Sequence, residues 1–394
     1  MTQPLDGIRV VDLTRILSGP FCSMLLADMG ADVIKIEPPG TGDPVRGQGA
    51  GRDGLSWYFA GFNRNKRSVT LDLKSAEGRA VLARLIESAD VLVENYRPGI
   101  LAKMGFDAER LEALNPRLIV ASVNGYGSTG PYVDRPAFDF IAQAMSGFMS
   151  VNGEPDGVPL RSAPPLTDLV AGLYTAFGVV NALRARELTG RGQCVEASMT
   201  NGIMSLFAYL ASDYLATGQL PNRTGNDHPI ASPYGLFTCK DGQVAVAPST
   251  NVILRRFFAV LGLPDPLSDP ELDTMEKRVA HRARLNRMID ERMREETQDV
   301  WIERLNAAGV PCGRVQDLSE AFADPQVLAQ EMVLDVPHPG RGVVRMLGFP
   351  VKFSDTPCRV RHPTPELGAD VDAVLGEIGY DEATICDFRD RAIV

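Results

Sequence analysis

The sequence predicts an α/β protein built around a mainly parallel β-sheet. Short apolar runs that are typical of buried strands alternate with helical patterns along the first third of the chain. This alternation is the pattern of parallel strands joined by helices. Further along, residues 169–183 carry no charge and only Thr175 and Asn181 as polar interruptions, which predicts a buried helix.

The predicted sheet elements follow one another without long interruptions. The predicted strands cover residues 8–12, 32–37, 69–72, 91–94 and 118–122, and the predicted helices cover residues 20–29, 76–89 and 108–114. Ligands bind to sheets of this kind outside the carboxyl ends of the strands. The loops that follow the strands are therefore the first places to look for a functional site.

A different texture begins after a predicted helix over residues 199–217 and a polar link over 219–228. Residues 234–246 predict a hairpin that turns on Asp241 and Gly242, because an Asp-Gly pair suits a two-residue turn. Charged helices are predicted over 252–261, 281–295 and 300–308, and further strands over 332–338 and 342–346, before the terminal helices. The sequence thus predicts a second region of mixed α and β structure.

Composition narrows the class of protein. The chain has 394 residues, 44% hydrophobic and 23% charged, which is ordinary for a globular protein of roughly two or three domains. Its net charge of −10 argues against nucleic acid as a partner, because phosphate backbones need a basic face. Dispersed cysteines and histidines predict neither a disulfide framework nor a metal site. Without a signal-peptide pattern or a transmembrane run, we expect a cytoplasmic protein that makes no membrane contact.

One carboxylate stands at the start of the long uncharged run. Pro164 and Pro165 disfavour helix upstream, so Thr167 or Asp168 can cap the helix that follows, and Gly190 is a natural stop. By residue type alone, Asp168 is most simply a helix cap. A catalytic role is the alternative that needs further support.

Basic and aromatic residues flank several predicted strands. Guanidinium and ammonium groups hold phosphates, and aromatic or guanidinium planes stack on bases, so these residues predict an anionic ligand. The candidates are Arg46, Arg67, Lys74, Tyr96, Arg97 and Lys103. For each residue taken alone, a solvated surface position is the alternative. The loop after the first strand, 14–20, lacks the spaced glycines of a dinucleotide site, so a nicotinamide cofactor is not expected.

Ordered motifs along nearly the whole chain resemble those of the family III CoA-transferases. This family includes formyl-CoA transferase, carnitine CoA-transferase and α-methylacyl-CoA racemase. The matching segments are residues 5–14, 30–37, 63–68, 93–99, 125–131, 167–168 and 190–193. Their number and order make the resemblance specific.

The resemblance implies a site, an architecture and an assembly. It makes Asp168 the nucleophile, and it implies that coenzyme A contacts Ile16, Leu17, Leu71, Lys74, Asn95, Tyr96 and Lys103. It implies a large Rossmann-like, CoA-binding domain formed by residues 1–218 and 335–394, with a smaller α+β domain over 228–325 between them. Two chains of the family thread through each other, so an interlocked homodimer is expected.

The implied activity is the transfer of CoA from an acyl-CoA donor to a carboxylic acid. In the family the reaction passes through an acyl-aspartyl anhydride and an aspartyl-CoA thioester. The sequence around Arg15 and Tyr174 is similar to the dicarboxylate-using branch, which includes succinate-hydroxymethylglutarate CoA-transferase, so succinyl-CoA is the expected donor. Arg15 or Arg46 could hold the second carboxylate, although either could instead be a structural ion-pair partner.

Three departures from the family pattern bear on these expectations. Residues 247–251 replace the glycine-rich loop of formyl-CoA transferase, and Pro38 stands where some relatives have a basic residue. Phe138 stands where the racemases have a catalytic His. The alternatives left open are a 2-methylacyl-CoA racemase, which would need a second acid/base group, and a non-catalytic acyl-CoA binding protein.

Overall fold

A parallel sheet of six strands forms the centre of the first of two units into which the chain divides. This unit comprises residues up to 148, residues 162–207 and residues 325–394. The second unit comprises residues 149–161 and 208–324. The structure is a computed structural model that describes residues 2–49 and 51–394.

The strands and helices follow the chain in this order. The strands are β1 Arg9–Asp12, β2 Asp32–Glu37, β3 Gly51–Arg52, β4 Leu55–Ser56, β5 Lys66–Thr70, β6 Val91–Glu94, β7 Ile119–Asn124, β8 Cys194–Ser198, β9 Gly235–Cys239, β10 Gly242–Val246, β11 Cys312–Arg314, β12 Val333–His338 and β13 Gly342–Leu347. The helices are α1 Ser18–Asp28, α2 Trp57–Asn63, α3 Ala76–Glu87, α4 Ile100–Lys103, α5 Ala108–Leu114, α6 Asp139–Met145, α7 Phe148–Val151, α8 Leu166–Thr189, α9 Met199–Met204, α10 Tyr209–Thr217, α11 Asn251–Leu261, α12 Met275–Ala280, α13 Arg282–Met293, α14 Gln298–Ala307, α15 Leu318–Ala323, α16 Pro325–Ala329, α17 Val371–Glu377 and α18 Glu382–Asp390.

The main sheet has the strand order β5-β2-β1-β6-β7-β8, and every neighbouring pair is parallel. Both faces are covered by helices. Val11 packs into the core formed with α3, α5, α17 and α18, whereas its neighbour Val10 packs into the core formed with α1 and α8. Burial on both faces explains why these strands are continuously apolar. The predicted α/β architecture with a parallel sheet is confirmed.

Two strands of this sheet differ from the sequence prediction. β5 begins at Lys66, not at residue 69, and pairs with β2 from there. The prediction began too late because Lys66 is a charged residue, whose ammonium is fully buried in an ion pair with Asp12. A pattern that looks for apolar residues does not detect such a position. β8 was not predicted, because it is an edge strand in which only Ser198 is fully buried.

Helix α8 contains the long uncharged run 169–183 for which the sequence predicts a helix, but only one of its faces is buried. It ends at Gly190, whose φ of 75° confirms the predicted stop. The opposite face carries Leu173, Phe177 and Leu188, and the Phe177 side chain is 66% exposed. Apolar composition predicts burial all round, yet a single chain supplies packing partners on one side only. By length and composition α8 could also cross a membrane, but half of its most apolar stretch is buried in the protein, so this is a weak indication.

The predicted helix over residues 199–217 is wrong as a single element. Helix α9 ends at Met204, a 3-10 turn follows over Ser205–Phe207, and Ala208 has a φ of 48° before α10 begins. The first unit ends at this break and the second begins. No glycine or proline marks the position, so local pattern gave no signal for it.

The second unit is a small α+β structure. Its antiparallel sheet has the order β11-β10-β9, and β9 and β10 form the predicted hairpin around Asp241. Helices α11, α13 and α14 cover one core, in which Phe257, Phe258 and Trp301 are almost completely buried. The strands β12 and β13 also pair as predicted and belong to the first unit.

Candidate active site

A cavity of about 190 Å³ opens at the carboxyl end of the parallel sheet and contains Asp168. Its walls come from the loops after β1, β6 and β7 and from the first turn of α8. The lining residues are Arg15, Ile16, Leu17, Ser18, Asn95, Tyr96, Arg97, Pro98, Val123, Asn124, Gly125, Tyr126, Gly127, Val133, Arg135, Pro136, Ala137, Phe138, Asp168 and Met199. Of these described lining residues, Asp168 is the one with a carboxylate. The site therefore lies where parallel sheets bind their ligands.

A larger cavity of about 520 Å³ adjoins the first and shares Tyr96, Pro98 and Asn124 with it. Two of its acidic residues accept hydrogen bonds from backbone amides of the neighbouring loops. Glu94 accepts a hydrogen bond from the Tyr96 amide at 2.7 Å, and Glu196 accepts one from the Ser128 amide at 3.1 Å. The smaller cavity contains Asp168, the residue that the family resemblance implies as nucleophile, and is therefore the candidate site.

Asp168 lies in the first turn of α8 and is partly buried. Burial is the largest cause that raises the pKa of its carboxyl to about 7, and the charge of Asp139 raises it further. A hydrogen bond from Ser18 works in the opposite direction. The result is a carboxylate that is far more basic than an ordinary aspartate, which is typical of functional sites.

Close packing of α1 against α8 brings Ser18 to Asp168. Gly172 faces the start of α1 so closely that a Cβ atom there would lie 2.5 Å from the Ser18 carbonyl oxygen. Real Cβ atoms do not approach so near, so glycine is required at this contact. The sequence shows the glycine but not the partner that explains it.

The N-terminus of α8 is not capped as the sequence predicts. The N-cap residue is Pro165, which makes no side-chain cap. Instead, the carboxylate of Asp139 accepts hydrogen bonds from the backbone amide of Thr167 at 2.9 Å and from its hydroxyl at 2.8 Å. A residue from another helix therefore satisfies the helix start, and Asp168 is free of that task.

A buried ion pair stabilises the loop after β1 through hydrogen bonds to its backbone. Ile16 has a φ of 72°, a conformation that is costly for a β-branched residue. Its amide donates to the Asp43 carboxylate, with distances of 3.1 and 3.2 Å to the two oxygens. Lys35 pairs with Asp43 at 3.0 Å and donates to the Thr14 carbonyl at 2.8 Å, and both charged side chains are almost completely buried. These contacts keep Ile16 at the cavity wall.

The loop after β6 is fixed to the loop after β1. The side chain of Asn95 accepts from the Arg15 amide at 3.0 Å and donates to the Arg15 carbonyl at 2.8 Å. The guanidinium of Arg15 lies 5.9 Å from the centre of the Tyr96 ring. Two strand-end loops thus form one wall of the site.

The structure brings together five of the residues predicted to contact CoA, namely Ile16, Leu17, Asn95, Tyr96 and Arg97. Three others lie elsewhere. Leu71 is 1% exposed in the core next to β5, whereas Lys74 and Lys103 are exposed on segments that follow β5 and β6. Their contact with CoA stays a prediction.

Arg46 and Arg67 do not line the cavity, and carboxylates of the same chain engage both guanidiniums. Arg46 binds Glu37 through two hydrogen bonds of 2.7 Å. Arg67 binds Asp32 and Glu377 at the amino end of β5, which is the opposite end of the sheet from Asp168. A residue that precedes a parallel strand lies at the amino end of the sheet, so Arg67 would lie away from the carboxyl ends even if β5 began at residue 69.

Ser18 and Arg135 were not predicted as site residues, and Asp139 was a candidate only as an acid/base group in the racemase alternative. Ser18 and Arg135 line the cavity, and Asp139 lies behind Asp168. Only position relative to the motifs could have indicated them, since Ser18 follows the predicted contacts Ile16 and Leu17 directly. The described residues include no group of three or more His, Cys, Asp or Glu side chains able to hold a metal ion.

Comparisons with known proteins show the family of the chain. The profile of CoA-transferase family III matches residues 5–371. The chain is similar to succinate–glutarate CoA-transferase of Agrobacterium fabrum, with 38% identity over 97% of this chain and 97% of that protein. It is also similar to acetyl-CoA:oxalate CoA-transferase of Acetobacter aceti, with 38% identity over 96% of this chain and 97% of that protein.

A crystal structure of a CaiB/BaiF family protein from Brucella suis has the same fold. The TM-score is 0.86, with 36% sequence identity over 96% of this chain and 100% of that chain. The family match and the CoA-transferase relatives thus define an enzyme of CoA transfer. The chain belongs to CoA-transferase family III, as its sequence motifs predict.

Proposed function

We propose that this enzyme moves CoA from succinyl-CoA to a small dicarboxylic acid through covalent intermediates on Asp168. The observation that carries the proposal is the position of Asp168, a basic carboxylate beside three guanidiniums in the cavity at the strand ends. The relatives named above act on succinate and glutarate and on acetyl-CoA and oxalate, according to their names. Binding of CoA by the loops after β1 and β6 is part of the proposal.

The reaction proceeds in four acyl transfers. The Asp168 carboxylate attacks the donor thioester, so that a C–O bond forms, the C–S bond breaks and CoA leaves as thiolate. The thiolate then attacks the aspartyl carbonyl of the anhydride and releases the donor acid, which gives an aspartyl-CoA thioester. The acceptor carboxylate attacks this thioester and frees the thiolate again. Attack of the thiolate on the acceptor carbonyl gives the new acyl-CoA and restores Asp168.

The environment of Asp168 addresses the main energetic difficulty of the first step. An ordinary aspartate, with a pKa of ~3.9, is a much weaker base than a thiolate, whose acid has a pKa near 8.5, a gap on the order of 6 kcal/mol. A pKa of about 7 for Asp168 narrows the gap to about 2 kcal/mol. Burial therefore makes the carboxylate a better nucleophile toward this leaving group.

The charges in the cavity favour an acid with more than one anionic group. Arg15, Arg97 and Arg135 line it, and none of the three forms an ion pair with a carboxylate in the described part of the chain. Free guanidiniums bind carboxylates and phosphates through paired hydrogen bonds. Arg15 thus fits the predicted role of holding a second carboxylate, whereas Arg46 is already bound to Glu37.

A panel of acyl-CoA donors crossed with carboxylic acids tests the substrate class. We expect the fastest formation of a new acyl-CoA, detected by mass spectrometry, with succinyl-CoA and a dicarboxylate such as glutarate. Arg15→Ala should raise the KM for the dicarboxylate more than the KM for a monocarboxylate of equal length. Equal rates for monocarboxylates and dicarboxylates would contradict the proposed substrate class.

The same samples distinguish transfer from racemisation. A racemase returns an α-proton from solvent and needs two acid/base groups at the reacting carbon. Phe138 lines the cavity at the position where racemases have a His, and it cannot serve as one. Incubation of 2-methylacyl-CoA in deuterium oxide should therefore give no α-deuterium. Incorporation of α-deuterium at the rate of turnover would establish the racemase instead. If none of the acids and acyl-CoA donors gives any activity, a non-catalytic acyl-CoA binding protein is favoured.

An interlocked homodimer is part of the proposal. Exposed apolar side chains surround the site, including Phe138, Phe140 and Met145, and continue along α8 to Phe177. Apolar surface of this extent on a single chain marks an interface. Gel filtration at nanomolar concentration should still show a dimer, because threaded chains cannot separate without unfolding. A folded monomer at that dilution would refute threading.

The cytoplasmic location stays a prediction.

A further inference from the structure

We infer that Asp139 is a positioning residue for Asp168: its carboxylate fixes the first turn of α8 and places a second negative charge behind the nucleophile. The inference rests on the proposed role of Asp168. It adds a requirement that the covalent mechanism alone does not contain, because the nucleophile is positioned by a residue that is not among those lining the cavity.

The hydrogen bonds of Asp139 hold the turn from outside the helix. Asp139 is 8% exposed at the start of α6 and accepts from both the amide and the hydroxyl of Thr167, which is fully buried. Its second oxygen accepts from the Gln143 amide group at 2.7 Å. Gln143, also fully buried, accepts in turn from the Ser162 amide at 2.7 Å. Asp139 acts only as an acceptor in these contacts, which is the role of an ionised carboxylate.

This arrangement couples position and charge in one side chain. Thr167 directly precedes Asp168, so the bonds to Thr167 determine where the nucleophile stands. The negative charge of Asp139 disfavours the ionised form of Asp168, and this adds to the effect of burial on its pKa. A more basic carboxylate is a better nucleophile.

The other charged and titratable groups that face Asp168 do not change their charge near neutral pH, so they cannot produce an acid limb in that range. They are Arg15 after β1, Tyr58 on α2, Tyr96 and Arg97 after β6, and Tyr126 and Arg135 after β7. Arginine and tyrosine side chains ordinarily titrate well above neutrality. Ser18 is the remaining hydrogen-bond partner and is uncharged. A change in the acid limb of the rate profile therefore reports on Asp168.

The test is the pH dependence of kcat/KM for acyl-CoA in Asp139→Asn. The asparagine oxygen can still accept from Thr167, but the charge is gone. In the wild type, kcat/KM should fall below a pH of about 7, as Asp168 becomes protonated. In the variant, this acid limb should move to lower pH, and the rate on the plateau should fall roughly three- to tenfold, because the nucleophile is less basic.

Two further variants separate charge from position. Thr167→Val removes the hydroxyl donor and leaves the charge, so kcat should fall while the acid limb stays in place. Asp139→Glu keeps the charge on a longer side chain, and the same result is expected. This comparison also tests the positioning role if Asp139→Asn does not fold, which circular dichroism and CoA binding would show.

An unchanged acid limb in a folded Asp139→Asn enzyme would overturn the assigned effect of charge. An unchanged kcat in both Thr167→Val and Asp139→Glu would overturn the positioning role. These failures differ from failure of the proposed function, which would appear as activity in an enzyme that lacks the Asp168 carboxylate.

Discussion

Replacement of Asp168 by asparagine is expected to abolish CoA transfer. An amide cannot form the anhydride, so the loss should reach at least about four orders of magnitude. If Asp168 only capped the helix, the same change would be nearly harmless, because Asn caps about as well as Asp and even alanine would cost only about 1 kcal/mol of stability. The measurement is acyl-CoA exchange followed by mass spectrometry, with CoA binding measured in parallel to show that the site is intact. Glu187→Gln, which neutralises an exposed carboxylate on the same helix, is the matched control and should keep full activity.

Trapping of the covalent intermediate on Asp168 gives a second, independent test of the same prediction. Wild-type enzyme incubated with acyl-CoA and hydroxylamine, without acceptor, should carry a modification on the single peptide that spans Asp168. The Asp168→Asn enzyme should carry none. Activity in this variant, or modification of another carboxylate, would refute the mechanism.

The stability of Asp168→Asn should depend on pH in a defined direction. The pKa of Asp168 in the folded protein, about 7, is raised above its ordinary value of 3.8, so the folded protein binds this proton more tightly than the unfolded chain. Its contribution to stability is complete below a pH of about 4 and is lost as the pH rises through about 7. The difference in thermal midpoint between the variant and the wild type should therefore favour the variant more at pH 8 than at pH 4. An equal difference at both values would contradict the pKa.

Of the substitutions proposed for this protein, Lys66→Met is expected to lower the free energy of unfolding the most. The Lys66 ammonium donates to Asp12 at 3.1 Å, to Asn63 at 2.9 Å and to the Pro20 carbonyl at 3.0 Å, and neither charged side chain of the ion pair is exposed. Removal of one member of a buried pair leaves the other charge uncompensated and costs ~3–5 kcal/mol. Asp12 keeps a hydrogen bond from Ser23 at 2.6 Å, which favours the lower end of this range.

Urea denaturation monitored by circular dichroism would measure this loss. Arg184→Met is the matched control, because Arg184 pairs with Glu187 on the surface, where both side chains are about two-thirds exposed. Exposed pairs contribute ~0–1 kcal/mol. A similar small effect in both variants would show that the buried pair does not stabilise the fold.

Local sequence patterns were sufficient for much of the fold. Alternating apolar strands and helices predicted the parallel sheet, and Gly190 marked the end of α8 correctly. These features depend on neighbours along the chain, which the sequence contains. The missed strand β8 and the late start assigned to β5 depend instead on edge position and on the pairing of Lys66 with Asp12.

For the site, the sequence by itself determined which loops follow the strands and that Asp168 stands at a helix start. The tertiary structure decided which charges are available there. Arg15 and Arg97 line the cavity, whereas Arg46 and Arg67 are bound by carboxylates. It also decided the basicity of Asp168, through burial and the charge of Asp139. Desolvation and Coulomb energy depend on distances through space, and spacing along the chain does not specify these distances.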